Sequence, residues 1–246
     1  MADEPEYTEG GQPVYRHKPR EKGFEFAHGD TGTIRAVEEH LARHAAAPDN
    51  VFHEIVSDLV HLDVHCVRPG DGRPFTTLMT SGMSDRPMTV PDGFDGDRFA
   101  ELCLFLPPDW PLSEKAFERE KHYWPVRWLK QMARLPHEYD TWLGFGHTVP
   151  NGDPATEVAD GAGFIGLMLG SPASLGEGFG RFDTPDGRAV SVYSLVPLYQ
   201  EEMDLKLRDG AEAVLERFDE FGITDVLRVG RPNVAAPPRR KWLGLF

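Results

Sequence analysis

The run Ala100 to Leu106 reads AELCLFL, apolar at every position but Glu101, and it stops at Pro107 and Pro108. A strand with apolar side chains on both faces must be covered on both, so the chain has to place a layer above and a layer below a central sheet. A second apolar run, Phe75 to Met79, precedes it. The two are joined through Thr80, Ser81, Gly82, Met83, Ser84 and Asp85, small hydroxyl residues around one glycine that favour a tight turn with exposed backbone N–H groups. Two readings of this loop stand side by side. It is a turn that satisfies its own backbone, or it is a contact surface in which exposed Met83 and Met88 lie beside N–H groups and Asp85, methionine being deformable enough for a partner to repack.

From residue 55 to 67 apolar and polar positions alternate, with Leu62, Val64 and Cys66 pointing one way and His61, Asp63 and His65 the other. That is the pattern of a half-buried strand. The RPGDGRP string supplies a hairpin turn into Phe75, so adjacent antiparallel strands follow. Residues 142–149, 164–169 and 189–196 read as further strands, giving a mixed sheet of about five. Helices are predicted over 34–46, capped by Thr31 or Thr33, and from Ser113 through about His122. Another starts at Pro125, turns Val126, Leu129, Met132 and Ala133 inward, and ends before Pro136. Asp209 and Glu212 form a capping-box-like pair ahead of a helix that Gly222 closes. Residues 198–207 suit a strand or a helix start equally.

His61, Asp63 and His65 share one strand face at a spacing suited to metal ligands, and His53 or His147 could add another. This is the strongest enzyme case, a metal-dependent hydrolase. The alternative is a solvated polar face, and no HExxH or CxxC signature supports a metal. Gly161, Gly163 and Gly166 match GxGxxG without the strand before and helix after that a dinucleotide site needs. No GxSxG string occurs, and Cys66 and Cys103 both sit in apolar runs, as buried thiols would. Glu201 and Glu202 are adjacent acids at a helix start, where the dipole favours them. No catalytic residue and no cofactor is therefore assigned.

The formal net charge of -14 argues against a nucleic-acid binder and would instead attract a basic protein partner. With 246 residues and 40% hydrophobic content, one large domain is expected, burying about 70 to 75% of its unfolded surface. No apolar run approaches the roughly 20 residues of a membrane span, and the polar N-terminus lacks a signal-peptide core, so the cytoplasm is the expected location. Residues 1–26 mix charge, Gly and Pro without periodicity and are expected to be a disordered lead-in. The domain is expected over 27–232. In the tail 233–246, Trp242, Leu243, Leu245 and Phe246 either pack back or stay free.

The strings TSGMSD, ELCLFLP, WPVRWLKQMARLP, DTWLGFGHT and PLYQEEM, in that order and spacing, resemble the Suppressor of fused family. The resemblance implies an α/β domain of α+β type, a mixed and mainly antiparallel central sheet flanked by helices, which acts by binding another protein. In animals the family holds a zinc-finger transcription factor, while bacterial members look like immunity proteins that neutralise toxins. With only a short tail after Pro232, the two-domain clamp of the animal proteins is not expected here. The partner surface is placed on Thr80, Ser81, Gly82, Met83, Ser84 and Asp85 and on the neighbouring end of the sheet at His147, because function concentrates on loops held by rigid strands.

Overall fold

The computed structural model describes residues 6–237 apart from 19, 22 and 71. Trp242, Leu243, Leu245 and Phe246 lie outside the described residues. Where an unstructured lead-in was expected, β1 (Glu6–Tyr7) and β2 (Pro13–Val14) pair as a small antiparallel ribbon. The ribbon meets the rest of the domain through a Gly10 N–H that donates to the Leu207 carbonyl at 3.2 Å.

Among the described residues the main sheet has eight strands where about five were expected. They are β3 (Asn50–Phe52), β4 (Asp63–Val67), β5 (Thr76–Ser81), β6 (Ala100–Leu106), β7 (Thr148–Pro150), β8 (Gly166–Gly170), β9 (Arg181–Asp183) and β10 (Ala189–Leu198). Their order is β3-β4-β5-β6-β10-β8-β7, with β9 pairing β10 beside β8. Every ladder is antiparallel except that of β6 and β10, which sets Ser191 to Ser194 parallel to Ala100 to Cys103. A mixed, mainly antiparallel sheet results.

As the apolar run requires, β6 is buried along its whole length. Among the described residues five helices flank the sheet: α1 (Thr31–His44), α2 (Glu114–Phe117), α3 (Glu120–Glu138), α4 (Gln200–Asp209) and α5 (Ala211–Phe221). On one face α3 packs Trp124, Trp128 and Leu129 against Val64, Cys66, Leu78, Leu102 and Leu104. On the other face Ala36, Val37 and Leu41 of α1 pack with Val67, Met79, Cys103, Phe105 and Val192. A third cluster joins Met203 of α4 and Val214 and Phe218 of α5 to Met168, Val196 and Leu198. Cys66 and Cys103 are both free and buried.

Several local expectations change for identifiable reasons. The cap of α1 is Asp30, whose carboxylate accepts from the Thr33 N–H at 2.8 Å. Pro125 and Pro136 both lie inside one continuous α3. An interior proline costs about 3 kcal/mol, but each large apolar side chain buried on this helix returns roughly 1.5 to 3 kcal/mol, and burial wins. Residues 142–149 form a strand only at their end, since Gly146 takes φ 76° in the turn that leads into β7. Residues 198–207 are resolved in favour of the helix α4. Gly210 precedes α5 without a side-chain cap, while Gly222 at φ 63° ends it as expected.

A buried ion pair helps to hold the irregular stretch after α5. Arg231 reaches both oxygens of Glu202 at 2.6 Å and donates to the Pro197 carbonyl at 2.9 Å. Its guanidinium sits among the rings of Phe164, Tyr199 and Phe218, at 5.4, 4.9 and 4.7 Å. Glu202 also accepts from the Tyr199 N–H at 3.0 Å, the helix-start role read from sequence.

Candidate functional site

The 80–85 loop turns inward. Thr80, Ser81, Met83 and Ser84 are buried, and Met83 and Met88 join the α3-side core, so the expected exposure of both methionines is corrected. The organiser is Glu101, the one charged residue of β6. Its Oε1 accepts from the N–H groups of Gly82 at 3.0 Å and Ser84 at 2.9 Å and from the Ser84 hydroxyl at 2.7 Å. Its Oε2 accepts from the Thr80 hydroxyl at 2.6 Å. Burial nevertheless pushes the carboxyl pKa up to about 7. Gly82 adopts φ 105°, and a Cβ there would stand 1.8 Å from the His61 carbonyl oxygen, so no other residue fits. The N–H groups expected to face a partner are taken up by Glu101. Asp85 accepts from the Asp30 N–H at 3.0 Å, joining the loop to the start of α1, and burial raises its pKa. Sequence reasoning missed Glu101; a lone charge inside an otherwise apolar strand was the available signal.

The strand face expected to be solvated is buried too. Asp63 and His65 are 3% and 1% exposed, because α1 lies over that side of β4. Asp63 is surrounded by His53 Nδ1 at 3.0 Å, His61 Nε2 at 3.4 Å and the Glu54 N–H at 3.1 Å. His65 places its Nε2 2.9 Å from the Ser81 hydroxyl. The structure thus gathers His53 and His61 around Asp63, His53 by a hydrogen bond and His61 at ion-pair distance, while His147 lies across the sheet. Among the described residues no group of three His, Cys, Asp or Glu side chains is placed to hold a metal ion.

His147 and the 80–85 loop are not neighbours: β6, β10 and β8 stand between β5 and β7. At about 4.8 Å per strand the two are roughly 19 Å apart across the sheet. His147 instead belongs to a run of rings at the β7 edge. Its ring lies 4.4 Å from Trp142 and 6.2 Å from Tyr15, and Trp142 lies 4.9 Å from Phe94. Tyr15, Phe94 and Phe145 of this region are 46%, 45% and 44% exposed. The Trp142 Nε1–H is buried without an acceptor among the described residues. Burial pushes the His147 pKa down to about 4, with Lys206 adding to the effect, so its ring is neutral at pH 7. Exposed aromatic anchors, an unpaired donor and a terminal strand together suit contact with another protein chain.

A helix-covered mixed sheet of this order defines the class, an α/β domain of α+β type. The family model for Suppressor of fused protein (SUFU) matches residues 58–232, and the chain belongs to that family. No curated protein matches it. Among solved structures it is similar to a protein of Neisseria gonorrhoeae FA 1090 described as a Suppressor of fused homolog, with TM-score 0.62 and 17% identity over 85% of this chain and 100% of that one. It is also similar to a chain of the Sufu–Fu complex, with TM-score 0.58 and 16% identity over 81% of this chain and 91% of that one. Drosophila Suppressor of Fused gives TM-score 0.54 and 16% identity over 83% of this chain and 48% of that one. At these identities the likeness is one of fold. Among the described residues no helix is long and apolar enough to cross a membrane.

Proposed function

We propose that this chain is a non-enzymatic domain that binds and sequesters a protein partner, and that it serves as an immunity protein neutralising a toxin. The observation that carries the binding reading is the aromatic strip at the β7 edge, where Tyr15, His147, Trp142 and Phe94 run ring to ring and Trp142 keeps an unpaired donor. Its binding set is His147 with those three rings and Phe145. The non-enzymatic reading is supported by the buried carboxylates, since Glu101, Asp63 and Glu202 each have their oxygens occupied by donors of the chain itself. The complex of Sufu with Fu supports a protein as the partner.

The test uses the chain as bait in its native source, followed by co-expression of whatever is retained. One protein should be retained by the wild type and lost by a Phe94→Asp, Phe145→Asp variant of unchanged melting temperature. Expressed alone that protein should arrest growth, and the wild-type chain should relieve the arrest. Retention by the variant would overturn the surface; a partner harmless to growth would overturn the immunity role and leave a regulatory adaptor.

A further inference from the structure

Strand β3 ends the sheet opposite β7 and pairs only with β4 among the described strands. Between it and α1 runs an open groove of about 480 Å³. Its floor is Ala42, Pro48 and Val51, and its walls carry the carboxylates of Glu38, Glu39 and Asp49, with no Lys or Arg among the lining residues. Glu39 is bridged along the helix by Arg35 at 2.7 Å, and Asp49 accepts from the Arg68 N–H at 2.6 Å. Glu38 points elsewhere. Its Oε1 lies 3.9 Å from Nδ1 of His65, the residue cross-strand from Val51.

His65 is 1% exposed, its Nε2 is engaged by Ser81 at 2.9 Å, and its Nδ1 has no hydrogen-bond partner among the described residues. A buried polar atom left unpaired is costly. The gap between it and Glu38 is too long for a hydrogen bond; in the tautomer whose Nε2–H donates to Ser81, Nδ1 is an acceptor, and an N–H donor entering from the groove could approach both it and the carboxylate. A lysine or arginine side chain supplies such a donor and the charge that three carboxylates attract. An unpaired strand edge beside the groove supplies backbone N–H and C=O groups for an extended chain.

We propose that the α1–β3 groove is a second docking surface, which takes an extended basic segment of a partner protein as an added strand and seats one cationic side chain between Glu38 and His65. It is independent of the aromatic strip at the other end of the sheet.

The probe is a fluorescein-labelled, end-blocked peptide alternating lysine or arginine with valine over about seven residues, titrated by anisotropy and mapped by amide chemical shifts. Saturable binding with shifts at residues 50–52 is expected. Glu38→Gln, at a half-exposed position, should leave the melting temperature unchanged and weaken binding about tenfold. N-methylation of alternate peptide amides should abolish it, a glutamate-for-lysine peptide should not bind, and Phe94→Asp should change nothing. Equal affinity for the Glu38→Gln variant or the methylated peptide, or shifts confined to another surface, would overturn the proposal. So would a more than tenfold gain on truncation after Pro237, which would make the chain's own basic C-terminal segment the occupant, or a dimer that the peptide dissociates, which would make it a second copy.

Discussion

Glu101 has no solvent contact, and its contribution to stability depends on pH. Burial raises its carboxyl from the ordinary 4.5 to about 7, so the folded state holds the proton more tightly than the unfolded chain does. The stabilisation from that proton is fully present below about 4.5 and is lost as pH rises through about 7, so stability falls across that window. Glu101→Gln should flatten this slope. Its amide oxygen can keep the Gly82 and Ser84 donors while its N–H₂ meets the Thr80 hydroxyl, so the cost at pH 5 should be small. Glu101→Ala orphans those donors and should cost about 3 kcal/mol or more. Urea denaturation at pH 5 and pH 8 checks both variants; an unchanged slope in Glu101→Gln would show that the carboxyl is not the source. At this scale the glycine and hydroxyls of the loop were legible as a turn, and Glu101 as an anomaly in an apolar strand. Their partnership was not, because it joins residues about twenty positions apart through a strand register that no local pattern encodes.

At the scale of elements, the ion pair of Arg231 and Glu202 ties an irregular segment to α4. Removing one member leaves a buried charge without its counterpart, so Arg231→Ala should cost roughly 3 to 5 kcal/mol. Arg231→Lys should recover little of this, since an ammonium cannot reproduce the two-pronged geometry. The double variant Arg231→Met, Glu202→Leu should be more stable than either single change, which a double-mutant cycle by urea titration would measure. The β1–β2 ribbon is a contrasting case. Its Arg16 pairs with Glu6 and Asp153 are open to solvent, and a lone two-stranded hairpin is marginal by itself. Deleting residues 1–18 should therefore shift the melting temperature by no more than about 2 °C. Helices α1 and α5 were readable from apolar spacing, and the continuity of α3 through two prolines was not. Local rules place a break at each proline; the long stripe of tryptophan and leucine buried on the sheet overrides them.

For the molecule as a whole, charge bears on how the proposed partner would be met. A net charge of -14 should draw a basic partner by long-range attraction, so raising NaCl from about 50 to about 500 mM should slow association roughly tenfold with a smaller change in dissociation. Stopped-flow mixing with the identified partner measures this, and a salt-independent rate would remove charge from the recognition. The sequence by itself determined that β6 must lie between two layers, that β4 and β5 adjoin as antiparallel strands, and that α1 and α5 pack by one face, because each is written in the spacing of apolar residues along a contiguous stretch. Only the tertiary structure decided that β6 and β10 run parallel, that α1 buries the histidine side of β4, that Met83 faces the core, and that His147 meets Tyr15 and Trp142 far from the 80–85 loop. Those outcomes depend on which strands become neighbours and which face each helix covers. Both are settled by long-range burial and hydrogen bonding between segments far apart in the chain.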